Sequence, residues 1–263
     1  MAFKEFCIIW DKEIYILTQP TTRSRMKPDY DIDEVDGIDE LRERMATADS
    51  DIADWSYILQ DYIKFGNNKV SEKVAIFNMN SATDCTNRNT EHCQVPDGKC
   101  YAFKDENIWK DVLPYRRRQE YLWDCLDAET FADAFTELVS RKRNPATAIR
   151  FSESGDFRHR GDILKVNRIS QLLDVSVYTY SASDYLDWSL AEDFTVNRSN
   201  NLDGWEKEGD RRFFAVPEET ELSEETVWCP FDYYDGDLEE RPQCGECQIC
   251  INSEGPDVAI PLH

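Results

Sequence analysis

The apolar residues fall into short β-rich runs that alternate with stretches of helical periodicity. Strands are predicted at VAIFNM (Val74–Met79), TAIRF (147–151), VSVYTY (175–180), FTVNR (194–198), RRFFAVP (211–217) and TVWC (226–229). Helices are predicted in IDELRERM, in DIADWSYILQDYIKF up to GNN, in DENIWKDVL up to Pro114, in YRRRQEYLWDCL, in DAETFADAFTELVSRK, in GDILKVNRISQLL and in SDYLDWSLA. This alternation is typical of a parallel α/β sheet.

The clearest of these helices lies in DAETFADAFTELVSRK. Asp127 is a candidate N-cap, and Phe131, Phe135, Leu138 and Val139 fall on one face of the helix. That face is expected to pack on the sheet.

We expect an α/β fold, with a partial (β/α) barrel-like parallel sheet and a cysteine-rich, metal-binding C-terminal segment. Residues 1–73 form a lead-in with two short strands, FCIIW and EIYIL, and two helices. Residues 74–228 form the core, and residues 229–263 carry the second cysteine cluster. Ligands of such sheets lie at the carboxyl ends of the strands. The first cysteine loop and SESGDF both follow a strand, so we expect them on the same edge.

The charge of the chain is strongly acidic, with 53 acidic against 30 basic residues and a net charge of −23. The acidic residues are spread along the whole chain, a pattern that keeps halophilic proteins soluble. We therefore expect a salt-loving archaeon, or its plasmid or virus, as the source. The charge argues against broad nucleic-acid binding, because phosphate contacts need a basic surface. No apolar run is long enough to span a bilayer, so a cytoplasmic protein without membrane contact is expected.

The chain contains nine cysteines, and seven of them lie in two clusters. In the cytoplasm, clustered cysteines are more often metal ligands or catalytic groups than disulfides. Cys7 and Cys125 lie in apolar surroundings, and we expect both in the core.

The second cluster is CGECQIC, which spaces Cys244, Cys247 and Cys250 by two residues each, with Cys229-Pro230 upstream. Structural zinc sites usually take cysteines as two separate pairs. Three cysteines at this spacing with a remote Cys-Pro are typical of a [4Fe–4S] cluster. Four thiolate ligands of such a cluster are predicted, with a four-cysteine zinc site, or purely structural thiols or disulfides, as the alternatives.

The first cluster, Cys85, Cys93 and Cys100, has spacings of seven and six residues, which match no zinc knuckle. Three cysteines can hold a [4Fe–4S] cluster and leave one iron open to a substrate or cofactor. His92 and Asp84 are weaker candidates for a fourth ligand. The alternative is that one or two of these cysteines are simply buried.

Several blocks of the sequence occur in an order that resembles an uncharacterised family of phage, plasmid and archaeal-virus proteins called after gene product eighty-eight. The blocks are GNNKV, a strand with three cysteines ending in CYA, YRRRQEYLW, FADAF, IRFSESGDF, VYTYS and the final Cys-Pro with C-x2-C-x2-C. The resemblance covers roughly residues 62–252. It implies no established activity.

The layout is more distantly similar to radical S-adenosylmethionine (SAM) enzymes, although the C-x3-C-x2-C signature of those enzymes is absent. In them a three-cysteine loop follows a strand, and a Gly-and-acid motif ends the next strand. The resemblance implies that Ser154, Gly155 and Asp156 line a SAM site beside an open iron.

The residues of FSESGDF also suggest roles of their own. Glu153 and Asp156 are candidates for acid–base catalysis or cation binding, or they are solvated loop acids. Arg150, inside the predicted strand, is a candidate for binding an anionic ligand. The run Arg116–Arg118 is expected to form a solvated or salt-bridged helix face.

Three hypotheses of function follow. The first is an iron–sulfur protein with two [4Fe–4S] sites and reductive SAM chemistry on an unknown substrate. The second is a non-enzymatic accessory protein of a virus or plasmid, stabilised by zinc or a closed cluster, that binds a host protein or nucleic acid. The third, a metal-dependent hydrolase using Glu153 and Asp156, is disfavoured because the chain has only three histidines.

Overall fold

The computed structural model describes residues 30–48, 51–88, 93, 100–199, 211–237 and 240–261, together with the backbone of 9–10 and 13–14. The strands are β1 (Ile9–Trp10), β2 (Glu13–Ile14), β3 (Lys64–Phe65), β4 (Val74–Phe77), β5 (Ala148–Phe151), β6 (Ser176–Ser181), β7 (Thr195–Ser199), β8 (Arg211–Val216), β9 (Thr226–Trp228) and β10 (Asp257–Pro261). The helices are α1 (Ile38–Ala48), α2 (Ile52–Tyr62), α3 (Tyr101–Ile108), α4 (Val112–Cys125), α5 (Ala128–Ser140), α6 (Arg160–Leu172) and α7 (Cys244–Cys247).

The large sheet has eight strands in the order β3-β4-β5-β6-β7-β8-β10-β9. All neighbours pair in parallel except β3, which is antiparallel to β4. Strands β4 to β8 follow one another in chain order, as in a singly wound barrel, but the sheet stays open at β3 and β9. The predicted α/β class with an open, mostly parallel sheet is therefore confirmed. Strands β1 and β2, predicted at the N-terminus, form a separate antiparallel pair.

The two faces of the sheet bury different partners. Alternate side chains of β4 and β5, such as Phe77 and Phe151, belong to the main core with the apolar faces of α1, α2, α4, α5 and α6. Their neighbours Ile76 and Ala148 pack on the other face, with Ile251 of the C-terminal cysteine segment. The helices therefore cover one face of the sheet, and the second cysteine segment lies on the opposite face.

Helix α5 has the predicted cap and the predicted buried face. The Asp127 side chain accepts a hydrogen bond from the Thr130 backbone N–H at 2.6 Å. Phe131, Phe135 and Leu138 are buried. Capping and periodicity were sufficient here because every local preference agrees with the burial.

Three local predictions were wrong. Pro114 does not end a helix, because it lies in the first turn of α4, where a missing N–H costs no hydrogen bond. The segment SDYLDWSLA forms only a short 3-10 turn at Trp188–Leu190. Cys125 is exposed at the last residue of α4 rather than in the core. Cys7 lies outside the described residues.

A buried ionic network joins α4 to α6. Glu120 of α4 is buried and accepts hydrogen bonds from Tyr30 Oη at 2.9 Å and from Arg158 Nη1 at 3.1 Å. Arg158 also contacts Asp124 and Asp162. Burial raises the pKa of Glu120 from 4.5 to about 7, because desolvation outweighs the favourable contact with Arg158.

This raised pKa predicts a pH-dependent contribution to stability. Between pH 4.5 and about 7 the folded state binds the Glu120 proton more tightly than the unfolded state. The contribution is therefore fully present below pH 4.5 and is lost as the pH rises through 7. Glu120→Gln removes it, so the stability of the variant relative to wild type should increase by about 3 kcal/mol from pH 4 to pH 8.

Denaturant unfolding at a series of pH values measures this difference. The control is Glu129→Gln, because Glu129 is an exposed partner of Arg168. Its curve should run parallel to that of wild type. If the Glu120→Gln curve also runs parallel to wild type, the carboxyl does not titrate in this range and the prediction is wrong.

No helix among the described residues is long and apolar enough to cross a membrane.

Candidate functional site

The first cysteine loop and the SESGDF turn lie at the same edge of the sheet, as predicted. Phe77 at the end of β4 pairs with Phe151 at the end of β5, and the two strands are parallel. The cysteine loop leaves β4 and the acidic turn leaves β5, so both begin at adjacent carboxyl ends. This edge is where open α/β sheets bind ligands.

Two cysteines of this loop, Cys93 and Cys100, lie within electrostatic range of the third, Cys85. Cys85, Cys93 and Cys100 are all partly buried. Burial raises the pKa of the Cys85 thiol, and Asp156, Cys93 and Cys100 raise it further because they lie within electrostatic range. Cys100 is also the N-cap residue of α3, with no capping hydrogen bond from its side chain. The structure thus places Asp156 and two thiols within electrostatic range of the Cys85 thiol.

Asp156 is buried and its hydrogen-bonding capacity is filled. It accepts hydrogen bonds from Asn87 Nδ2, Ser181 Oγ, the Ala182 backbone N–H and the Phe157 backbone N–H, all within 2.8 Å. Each carboxylate oxygen therefore accepts two hydrogen bonds, which is its normal limit. Burial raises its pKa while the four hydrogen bonds oppose the shift. This arrangement favours a positioning role for Asp156 over proton transfer.

The turn before Asp156 has no room for a side chain at its glycine. Gly155 has a φ of +71°, and Asn80 Oδ1 accepts a hydrogen bond from the Asp156 N–H at 3.0 Å. A Cβ atom on Gly155 would lie 1.8 Å from that same oxygen. Asn80 is fully buried, and the described chain offers no hydrogen-bond partner to its Nδ2. A buried free donor therefore stands beside the three-cysteine site.

A buried ion pair fixes the start of the cysteine loop. Glu106 of α3 accepts hydrogen bonds from the backbone N–H groups of Ala82 and Thr83, at 2.8 and 2.7 Å. It also pairs with Arg116 of α4 at 2.7 Å. The loop is therefore tied to both helices, and its position does not depend on apolar packing alone.

Of the two weaker candidates for a fourth ligand, the structure describes only Asp84. His92 lies outside the described residues. Asp84 is held by Arg117 through both carboxylate oxygens, at 2.9 and 3.2 Å, and by Ser81 Oγ at 2.6 Å. The prediction that the arginine run forms salt bridges is confirmed for Arg116 and Arg117.

Glu153 and Arg150, the other two candidates of this segment, have different partners from Asp156. Glu153 accepts a hydrogen bond from Asn67 Nδ2 at 2.7 Å and lies 3.8 Å from Lys64 Nζ. The guanidinium of Arg150 stacks on the Tyr180 ring at 4.6 Å from its centroid. Its Nε is buried and has no hydrogen-bond partner among the described residues. Arg150 therefore lies between the first site and the second cysteine segment.

The four cysteines of the second cluster line one cavity of about 20 Å³. These are Cys229, Cys244, Cys247 and Cys250, and the rest of the wall includes Lys69, Tyr178, Tyr180 and Phe213. The one-turn helix α7 carries Cys244 and Cys247, and Gln248 ends it with a φ of +57°. This left-handed residue turns the chain so that Cys250 faces the same cavity.

Burial raises the pKa values of the Cys244 and Cys250 thiols to about 11. The neighbouring Cys229 raises both further, whereas Lys69 lowers the pKa of Cys244 and Arg211 lowers that of Cys250. Four thiolates would repel one another strongly here without a bound cation. Metal binding is the usual way to hold such a group deprotonated.

Cationic side chains accompany these thiols. Lys69 forms an ion pair with Asp232 and lies within electrostatic range of Cys229 and Cys244. Arg211 is buried beside Cys250, and burial lowers its pKa. Its Nε and Nη1 have no hydrogen-bond partner in the described chain. Thiols, cations and free buried donors together fit a negatively charged, thiolate-bound group.

No three histidine, cysteine, aspartate or glutamate side chains within the described ranges are arranged to hold a single metal ion. The metal-ligand roles of the seven clustered cysteines remain predictions.

Sequence reasoning missed Asn80, Lys69 and Arg211. Lys69 lies in the GNNKV block and Asn80 lies directly after a predicted strand. These positions were sequence signals that could have identified both residues. Arg211 had no such signal, because an arginine at the start of a predicted strand is usually exposed.

A protein-family model described as Gene product 88 matches residues 52–202, more than half of the chain. The match includes the first cysteine site and ends before the second. No curated protein and no solved structure matches the chain.

Proposed function

The chain belongs to the Gene product 88 family, and from the geometry of its two cysteine sites we propose that it is an iron–sulfur protein. The first site binds a [4Fe–4S] cluster through Cys85, Cys93 and Cys100 and carries out reductive chemistry on SAM. The second binds a [4Fe–4S] cluster through Cys229, Cys244, Cys247 and Cys250 and stabilises the fold or relays electrons.

One observation supports this proposal. The Cys85 thiol, in the loop after β4, lies within electrostatic range of Cys93, Cys100 and the buried Asp156 in the turn after the parallel strand β5. The strands β4 to β8 lie side by side in chain order, so their carboxyl ends form one continuous edge of the sheet. Thiolates suit iron–sulfur clusters, and a site with only three of them keeps one coordination position open.

A cluster at the first site would supply an electron to SAM bound at its open iron. The chain's own residues would bind and orient that cofactor. Asn80 Nδ2 is a free buried donor suited to a carboxylate oxygen. Asp156 holds the turn of Ser154 and Gly155 in place through its four hydrogen bonds. Glu153, which faces Asn67 and Lys64, remains the candidate acid or base.

Anaerobic purification with iron, sulfide and zinc analysis tests the proposal, with electron paramagnetic resonance (EPR) spectra recorded before and after SAM is added. Two clusters correspond to about eight irons per chain. We expect that content and a spectrum that changes on adding SAM, because the cofactor binds an open iron. Four irons and an unchanged spectrum would rule out the SAM chemistry.

A metal-stabilised accessory protein is the second candidate. The spacing of Cys244 and Cys247 on a single turn also occurs in structural zinc sites. In that case zinc would stabilise the C-terminal segment, and the chain would bind a host or viral protein. About one zinc per chain without iron would establish this candidate in place of the first.

A further inference from the structure

One cationic side chain, Lys69, lines the four-cysteine cavity, and two more lie within electrostatic range of its thiols. Lys69 lies within electrostatic range of two of the thiols, and Arg150 lies within range of Cys244. Arg211 lies within range of Cys250. The chain as a whole carries a net charge of −23, so this concentration of positive charge is unusual for it. Buried cations need a counter-charge, and the cavity is where an anion would supply it.

In the described part of the chain, Arg211 is the cation of this group with the most unpaired buried N–H groups. Its side chain is 1 % exposed, and its Nη2 donates a hydrogen bond to the backbone oxygen of Asn252. Its Nε and Nη1 have no partner among the described residues. Leaving a buried N–H group unpaired costs about 1–3 kcal/mol, and more when the group is charged. Lys69, in contrast, already pairs with Asp232.

The neighbours of Arg211 fix the cysteine loop against it. Asn197 Nδ2 donates to the backbone oxygen of Cys250 at 2.9 Å, and Thr195 Oγ1 donates to that of Ile251 at 3.0 Å. The hydroxyl of Tyr180 hydrogen-bonds the Cys250 thiol. The backbone from Cys250 to Asn252 is therefore held by side chains of β7 and β8, and the Cys250 thiol by a side chain of β6. The guanidinium is fixed against this backbone, within electrostatic range of the Cys250 thiol.

We propose that Arg211 is a positioning residue of the second site, whose free N–H groups pair with the bound iron–sulfur group. This inference rests on the two-cluster function proposed above. A cluster held by four thiolates is an anion, and reduction adds one more negative charge to it. Arg211 therefore stabilises the reduced form more than the oxidised form, and its presence raises the reduction potential.

The test is a redox titration followed by EPR on the anaerobic, cluster-loaded protein. Arg211→Met is expected to shift the ratio of reduced to oxidised cluster about tenfold toward the oxidised form. For a one-electron couple this corresponds to a potential about 59 mV more negative. Arg212→Met is the matched control, because Arg212 follows on the same strand, points to the other side and pairs with Asp257. Its potential should equal that of wild type.

Iron content separates the two ways in which the inference can fail. Wild-type protein without iron would overturn the proposed function and this inference with it. Iron-loaded Arg211→Met with the wild-type potential would overturn this inference alone. If Arg211→Met does not accumulate as folded protein, Arg211→Lys is measured instead. It keeps the charge but loses the planar fork, so we expect a smaller negative shift, and an unchanged potential would again overturn the inference.

Discussion

Replacing Cys244 with serine is expected to halve the iron content, from about eight to about four irons per chain. Cys244 lies in the wall of the four-cysteine cavity and packs against the apolar cluster that includes Val70 and Ile251. Its backbone N–H donates to the Lys69 oxygen at 3.1 Å, so the loop is anchored at this residue. A serine hydroxyl does not replace a thiolate as an iron ligand.

The same substitution should also destabilise the fold. The binding energy of a structural metal group is part of the folding energy, and its loss belongs to the largest single-residue effects. A loss of about 4 kcal/mol would lower the midpoint of thermal unfolding by roughly 10 °C in a chain of this size. Metal analysis and thermal unfolding of the anaerobic protein measure both effects.

Cys125→Ser is the matched control for this prediction. Cys125 is an exposed thiol at the end of α4, far along the chain from either cluster. Its replacement should leave iron content and the unfolding midpoint unchanged. Full iron retention in Cys244→Ser would show that this residue is not a ligand.

Gly155→Ala should disrupt the first site and destabilise the protein by at least 3 kcal/mol. The positive φ of +71° costs an L-residue about 1–2 kcal/mol by itself. The new methyl group would also lie 1.8 Å from Asn80 Oδ1, which is impossible without movement. Any such movement breaks the hydrogen bond from the Asp156 N–H to Asn80. The SAM-dependent change in the EPR spectrum should therefore disappear.

Gly161→Ala is the control for this substitution. Gly161 lies in the first turn of α6, and a Cβ atom there would meet only the His159 side chain, at 3.1 Å. Alanine also favours helix, so its stability should stay within about 1 kcal/mol of wild type. If Gly155→Ala were as stable as this control and still responded to SAM, the tight turn would have no role in the site.

The sequence predicted the fold best where the local pattern and the tertiary contacts agree. The strands β4 to β8 and the buried face of α5 follow directly from runs of apolar residues. Strand β3 was wrongly predicted as the end of the helix in DIADWSYILQDYIKF; α2 ends at Tyr62, and the two residues of β3 pair at the sheet edge, next to β4. Strand β10 was missed because it lies after the cysteine segment and inserts between β8 and β9. Nothing local in DVAIP indicates that position.

For the candidate sites as well, residues marked by local sequence were predicted, and residues that arrive from distant parts of the chain were not. The four cysteines grouped by spacing near the C-terminus line one cavity, and strand ends placed SESGDF at the same sheet edge as the first cysteine loop. Partners distant in sequence were beyond this reasoning. Arg211 lies near the second site on a strand that precedes all four of its cysteines, and Asn80 contacts Gly155 across the sheet edge. Such contacts depend on strand order, which periodicity does not reveal.

The position of β10 determines when the β9 edge of the sheet can fold during synthesis. Strand β9 pairs only with β10, and the two parallel strands are joined by the whole cysteine segment, residues 229–256. Parallel neighbours are normally joined by a crossover helix, but the described part of this connection contains only the one-turn α7. Closing a loop of about 28 residues costs roughly 3 kcal/mol of chain entropy. A metal group that ties the loop together would offset that cost. The edge of the sheet at β9 can form only after residues 257–261 have left the ribosome, because β10 lies between β8 and β9.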